Sequence, residues 1–170
     1  MSHNSQPQSF PFGNARAFAG SEMFQKIFAD GMAMVEETAT YLDGRGRQES
    51  RALPSKAALA YAGESMRLTT RLMQIASWLL VQRAVSEGEM SEEEAGREKY
   101  RLGAKEICLG RRPEAADVLP VKLVDLLDRS AQLYERVERL DVSLYANAAP
   151  VPGAISQINK LHAFFGGKEA

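Results

Sequence analysis

The longest helical pattern in this sequence constrains the fold most strongly, and it runs from Pro54 to about Ser86, just before Gly88. Proline suits the start of a helix because its φ is already helical and its missing N–H needs no partner there. The apolar residues of this segment cover well over half of the helical circumference. They are Leu59, Ala62, Met66, Leu68, Leu72, Met73, Ile75, Ala76, Leu79 and Leu80. Such a helix needs neighbours on two sides, so we expect it at the centre of the fold.

Two further long helices flank this segment in the sequence. One begins after Ser21, which can cap it, and carries apolar residues at spacings of three and four until Gly44 and Gly46 end it. The other opens at Leu119-Pro120. Its single apolar stripe comprises Leu123, Leu126, Leu127, Leu133, Tyr134, Val137, Leu140 and Leu144. Both patterns are those of amphipathic helices that bury one face.

A short accessory helix is predicted between the second and third long helices. Ser91 and Glu94 have the spacing of a capping box, which predicts a charged helix as far as about Leu102. The sequence shows neither strand-like alternation nor a repeat of 20–50 residues. We therefore expect an all-α fold, an antiparallel three-helix bundle with one short accessory helix.

The chain of 170 residues has the size of one domain with one core. Residues 1–20 are rich in Ser, Gln, Asn, Pro and Gly and are predicted to form a flexible N-terminal arm. The bundle domain is expected at residues 21–148. Two prolines and a glycine after Asn147 prevent the last helix from continuing, so residues 149–170 are predicted to be a flexible C-terminal tail.

The composition argues against several functions. Charged residues number 21 basic and 22 acidic, which leaves no basic surplus for nucleic acid. The two histidines, His3 and His162, lie outside the predicted core, and the single Cys108 is expected to be a buried structural thiol. We therefore predict no catalytic site, no metal and no cofactor. The lone cysteine and the absence of a signal peptide or an apolar span predict a cytoplasmic protein without membrane insertion.

Trp78 is the first candidate for a partner-binding residue. A helical wheel places it with Arg67, Arg71, Gln74 and Gln82 on the polar arc of the central helix, and an aromatic side chain there suggests an interface. We predict self-association through this face. The alternative, that the N-terminal arm or the short charged helix covers Trp78, stays open.

A second candidate is the predicted loop at residues 43–51, in which Arg45, Arg47 and Arg51 offer three guanidinium groups to an acidic partner. A merely solvated loop is the alternative.

The third candidate is the tail, where Ile155, Ile158, Leu161, Phe164 and Phe165 could line one side of a docking segment. A tail that folds back onto the bundle explains the same residues, and the sequence does not decide between the two.

Three segments of the chain resemble the RcdA family. They are YLDG at 41–44, RALPSKAALAYAGESMRLTTRLMQIASWLLVQRAVSEGEMS at 51–91 and LPVKLVDLLDRSAQLYERVERLD at 119–141. The resemblance implies a three-helix protein that forms a homodimer and acts as an adaptor for the ClpXP protease. It also implies partners, namely a response regulator and substrates such as the cell-cycle regulator CtrA, and a C-terminal tail used in binding.

Two functional hypotheses follow. The first is a non-enzymatic adaptor that helps to deliver CtrA-type regulators to ClpXP by holding them near the protease. The second is a helical bundle that binds a small ligand or effector in a pocket near Tyr61, Met66 and Met73. Recruitment to a cell pole is left open.

Overall fold

The computed structural model describes residues 12–113 and 118–146 of the chain. Most of these residues lie in helices. The elements are α1 Ala15–Ala19, α2 Glu22–Asp43, α3 Arg45–Arg51, α4 Ser55–Glu87, α5 Glu92–Ala95, a 3-10 turn Glu98–Tyr100, α6 Lys105–Cys108 and α7 Val121–Tyr145. These residues include no strand, and the predicted all-α bundle is confirmed. The 33-residue α4 contacts every other helix, so its predicted central place is also confirmed.

The ends of the helices follow local capping chemistry. The Ser21 hydroxyl accepts a hydrogen bond from the Phe24 amide at 3.2 Å, which caps α2. Gly88 ends α4 with a φ of 78°, a left-handed conformation that glycine adopts without strain. Ser91 caps α5 as predicted, but the helix ends at Ala95 instead of continuing to about Leu102.

The chain after α5 forms a strap, residues 96–113, that returns along the bundle. Its backbone bonds to side chains of the long helices: the Gly103 amide donates to the Gln74 side chain at 3.1 Å, and the Gly103 carbonyl accepts from the Tyr134 hydroxyl at 2.7 Å. Further on, Arg67 donates to the Arg111 carbonyl at 3.2 Å. These partners explain why the predicted charged helix stops early.

The strap determines the direction of α7. Arg71 bonds to Ser130 and Gln82 bonds to Tyr145, so residue numbers rise together along α4 and α7 and the two helices are parallel. The α2 helix runs opposite to both, because Gly31 lies beside Leu79 whereas Gly46, just after α2, lies beside Tyr61. The predicted antiparallel arrangement is therefore correct for α2 against its neighbours and wrong for the α4–α7 pair, because the strap carries the chain back to the end where α4 begins.

Part of the predicted N-terminal arm belongs to the bundle. Residues 15–19 form α1, whose cap is the Asn14 side chain, and Phe18 is fully buried. The Phe18 ring lies 5.5 Å from that of Phe24 and 6.2 Å from that of Trp78, centroid to centroid. The prediction of a loose arm is wrong for these residues because Phe18 fills a place in the core, while residues 1–11 lie outside the described part.

One apolar stripe of α4 is exposed. Four residues that we expected in the core, spaced seven apart, have exposed fractions of 76% for Leu59, 71% for Met66, 64% for Met73 and 53% for Leu80. We call this stripe the outer face of α4. The core takes Leu68, Leu72, Ile75 and Leu79 from the same helix, so only one of its two apolar sides is buried.

A network of ion pairs joins α2 to α7. Both carboxylate oxygens of Glu37 accept hydrogen bonds from Arg129, at 2.9 and 2.8 Å, and Lys122 contacts the same carboxylate. Hydrogen bonding to Arg129, then to Lys122, lowers the pKa of Glu37 to about 2 from an ordinary value of 4.5. The charged form is thus favoured in the folded state.

We expect Glu37→Gln to lower the free energy of unfolding at neutral pH by about 1 kcal/mol, because the network is only partly shielded from solvent. A lowered folded-state pKa stabilises the protein above the unfolded-state pKa and ceases to do so as the pH falls toward the folded-state value. The difference between the variant and the parent should therefore shrink as the pH falls from about 5 toward 2. Urea unfolding at a series of pH values measures it, with Glu135→Gln as an exposed control. A difference independent of pH would contradict the assignment.

Candidate partner-binding sites

Trp78 is buried by its own chain. Its exposed fraction is 1%, its indole N–H donates to the Asp141 carboxylate at 2.8 Å, and the Phe18 ring lies against it. The same carboxylate accepts from Arg101 of the strap at 2.8 and 2.9 Å. The prediction of an interface at Trp78 is wrong, and the open alternative of cover by other parts of the chain is confirmed, with α1, α7 and the strap around it.

Arg71 is also buried, with 4% exposure. Its guanidinium donates to the Cys108 carbonyl at 2.9 Å, the Leu127 carbonyl at 2.9 Å and the Ser130 hydroxyl at 2.8 Å. Burial lowers the pKa of Arg71 from its ordinary value, but three acceptors still satisfy its N–H groups. Arg71 thus joins the strap to α7 and is not available to a partner.

The whole polar arc of α4 holds the strap and the end of α7. Gln74 bonds to Gly103, and Gln82 is fully buried and accepts from the Tyr145 hydroxyl at 2.8 Å. Burial raises the pKa of Tyr145 to about 12, so this hydroxyl is a neutral donor at physiological pH. Arg67, at the edge of the arc, is half-buried and bonds to Arg111. The sequence correctly predicted a polar arc on α4. It did not reveal that these polar side chains form hydrogen bonds within the chain instead of binding a partner.

The predicted arginine loop is the helix α3, and its arginines are exposed on it. The Arg45 side chain is 81% exposed and pairs with Glu49 at 2.7 Å, one turn away. Arg47 and Arg51 are exposed as well. The prediction of a loop at residues 43–51 is wrong. The chain becomes helical again directly after Gly44, which alone separates α2 from α3. Binding of an acidic partner here stays a prediction.

The tail candidates Ile155, Ile158, Leu161, Phe164 and Phe165 lie outside the described residues. The structure does not bring the residues of the predicted ligand pocket together. Tyr61 is buried in the core, while Met66 and Met73 project from the outer face.

The outer face of α4 is a surface that sequence reasoning missed. Leu59, Met66, Met73 and Leu80 recur every seven residues, the spacing of a coiled-coil seam, and span about 32 Å of helix. Between them, also seven apart, lie the small residues Ala62, Thr69 and Ala76. The seven-residue period was present in the sequence, but a helix with apolar residues on both sides does not reveal which side is exposed.

An apolar cavity adjoins the outer face. It has a volume of about 180 Å³ and lies between α2 and α4. Its lining comprises Val35, Thr38, Ala39, Leu42, Thr69, Leu72, Met73 and Ala76. Met73 belongs to both the cavity and the outer face, so the two form one continuous apolar surface. Methionine packs adaptably against varied apolar partners.

The described residues offer little for catalysis or metal binding. Cys108 is fully buried, as predicted, and burial raises the pKa of its thiol. Within residues 12–113 and 118–146, no group of three or more His, Cys, Asp or Glu side chains could hold a metal ion. No helix in these ranges is both long enough and apolar enough to cross a membrane.

The described residues form an all-α bundle with a long exposed apolar seam, a surface of the kind at which helical proteins often bind partners. A family model described as "Protein of unknown function (DUF1465)" matches residues 15–165. Among solved structures, the chain is similar to RcdA from Caulobacter crescentus CB15, with 53% identity and a TM-score of 0.64. The match covers 78% of this chain and 98% of that one. The chain belongs to the RcdA family. No curated protein sequence matches it.

We expect Trp78→Phe to lower the free energy of unfolding by about 1–3 kcal/mol, because it removes a buried hydrogen bond and leaves a small void. Sedimentation behaviour should stay unchanged, since Trp78 touches no partner. Unfolding in urea followed by circular dichroism suits this test because the chain has one tryptophan and the variant loses it. Gln132→Ala, at an exposed position on α7, is the control. A changed sedimentation coefficient in the folded variant would restore Trp78 as an interface residue.

Proposed function

We propose that this protein is a non-enzymatic adaptor that helps to deliver CtrA-type regulatory proteins to the ClpXP protease in the cytoplasm, together with a response regulator. The single observation that carries the proposal is membership of the RcdA family, with 53% identity over 98% of the Caulobacter protein. An exposed apolar seam on a fully helical scaffold supports it, because an adaptor needs surfaces for partners and no reacting groups.

The proposed mechanism is an increase in effective concentration. A protein that holds a substrate and the protease at the same time turns their encounter into an intramolecular event, which can raise apparent affinity by about 10²–10⁴-fold. Such a mechanism requires at least two separate binding surfaces. The outer face of α4, the exposed arginines of α3 and the segment after Asn147 are the three we propose for these roles.

We assign the outer face to a second copy of this chain. A homodimer interface is the same patch on both partners, so it must tolerate its own charges. The residues that lie between the four anchors on this face are uncharged, and they include Gly63, Thr70 and Ser77. Two such faces can therefore meet without like-charge repulsion, and the small residues allow the two helices to approach closely.

We expect the double substitution Met66→Glu and Met73→Glu to shift the protein toward monomer by at least about tenfold in the dissociation constant, because two carboxylates would then face each other across the seam. The helical content should change little, since both side chains are exposed in the single chain. Sedimentation velocity over a range of concentrations measures the shift. Val142→Glu, at an exposed apolar position on α7, is the control. A parent protein that is monomeric at all concentrations would contradict the assignment.

We expect a chain truncated after Ala149 to keep the helical content and melting temperature of the full chain, because the apolar stripe of α7 ends at Tyr145. Delivery of a CtrA-type substrate to ClpXP should fall sharply. In a docked state Phe164 and Phe165 would each bury apolar area worth about 2 kcal/mol.

A full-length variant with Phe164→Ser and Phe165→Ser should reproduce the loss of delivery in a reconstituted degradation assay, and Gln157→Ser with Asn159→Ser should not. Loss of folding on truncation would show that the tail packs into the core. Unchanged delivery would show that the tail has no part in the function.

A further inference from the structure

A pocket of about 700 Å³ lies where the beginning of α4 meets the end of the strap. Its lining consists of Lys56, Leu59, Ala60, Gly63, Glu64, Arg67, Arg111 and Pro113. The lining therefore combines three cations with one carboxylate on an apolar wall. Leu59 and Gly63 belong to both the pocket and the seam, whereas Met66 and Met73 lie outside the lining, so substitutions at these methionines test the seam separately.

Glu64 is the unusual member of this lining. Its exposed fraction is 2%, and one carboxylate oxygen, Oε1, lies 3.2 Å from Arg67 Nε. The other oxygen, Oε2, is buried and accepts no hydrogen bond from any residue that the structure describes. Asp141, the other buried carboxylate among these residues, accepts from both Trp78 and Arg101. Buried carboxylate oxygens are costly without a donor, so Oε2 marks a place for a donor from outside.

The cations around Glu64 are held in two ways. The Arg67 guanidinium donates to the Arg111 carbonyl through Nη2 and packs over Gly110, where an added Cβ would lie 2.6 Å from Nη1. Its buried Nε and Nη1 have no hydrogen-bond acceptor among the described residues. Lys56 and Arg111 are exposed at the rim of the pocket. The lining thus combines two exposed cations with a buried carboxylate.

We propose that this pocket binds an acidic peptide segment of a partner protein. A peptide supplies the three features that the lining requires, since its backbone N–H can donate to Glu64 Oε2, its carboxylates can pair with Lys56 and Arg111, and its apolar side chains can contact Ala60 and Pro113. A simple inorganic anion would satisfy the cations but would leave the apolar wall uncovered. The net positive lining favours an acidic sequence over a basic one.

Fluorescence polarisation of a labelled peptide of alternating aspartate and leucine tests the proposal, with its asparagine counterpart as the neutral comparison. We expect the acidic peptide to bind the full chain and to weaken with salt. Lys56→Gln with Arg111→Gln should weaken binding by at least about tenfold. Lys26→Gln with Arg136→Gln removes the same charge from exposed positions elsewhere and should have little effect.

Glu64→Met separates donor recognition from simple charge attraction. Charge attraction alone predicts tighter binding of an acidic peptide once a negative group is removed, whereas the loss of the buried acceptor predicts binding weaker by at least about fivefold. Circular dichroism and melting check that the variant is folded, and the two rim substitutions test the site independently of it.

Three results would overturn the proposal. The first is no binding of the acidic peptide at millimolar concentration, and the second is equal or tighter binding by a folded Glu64→Met variant. The third is a large gain in peptide binding when Glu114 and Asp117 are changed to Gln and Asn, because the chain's own acidic segment would then be the occupant. Self-association and substrate delivery are measured separately, so failure here leaves the adaptor proposal standing.

Discussion

The buried guanidinium of Arg71 connects three parts of the molecule that are distant in sequence. It lies on α4, and its acceptors are Cys108 at the end of α6 and Leu127 and Ser130 on α7. A buried charge is costly unless its hydrogen bonds are complete, so Arg71 makes one position of the strap between α4 and α7 strongly preferred. Trp78, Asp141 and Arg101 repeat the same arrangement further along the helix. Because the strap returns in this groove, α7 starts at the same end as α4 and runs parallel to it.

The strap also decides which surfaces remain for partners. It covers the polar arc of α4, while α2 and α7 cover the apolar side that holds Leu68, Leu72 and Ile75. The side that remains carries Met66 and Met73. An exposed apolar seam of this length is typical of a surface that contacts another protein. On α4, therefore, a polar arc is buried and an apolar stripe is exposed. This distribution follows because Arg71 and its neighbours form hydrogen bonds with the strap and with α7.

Much of the fold could be predicted from the sequence, because caps and periodicity are local. Ser21, Ser91 and Gly88 end or begin helices as expected, and α4 lies within one or two residues of its predicted bounds. The orientation of α4 could not be predicted, since apolar residues over more than half of the circumference fit two opposite orientations equally well. Trp78 and Arg71 were assigned to a partner because composition cannot show that a later segment of the same chain will cover them. Phe18 was missed for a similar reason, because the three phenylalanines of residues 1–20 show no helical periodicity within a polar segment.

The net charge of −1 conceals local differences in charge along the bundle. Where the beginning of α4 meets the end of the strap, the exposed cations Lys56 and Arg111 line one pocket together with Arg67. The acidic helix α5 lies at the opposite end, beside the end of α7, where Gly96 approaches the Tyr145 ring. A screened potential acts over about 8–10 Å at physiological ionic strength, so an approaching partner senses one end of the molecule and not the average of the whole. Overall charge balance therefore argues against nonspecific binding to nucleic acid but does not argue against selective binding of an acidic segment at the cationic end. Glu64 lines the same pocket, and its buried Oε2 can accept a hydrogen bond. In the proposed complex, the cations attract any acidic ligand, and Glu64 adds selectivity for a ligand with a peptide N–H.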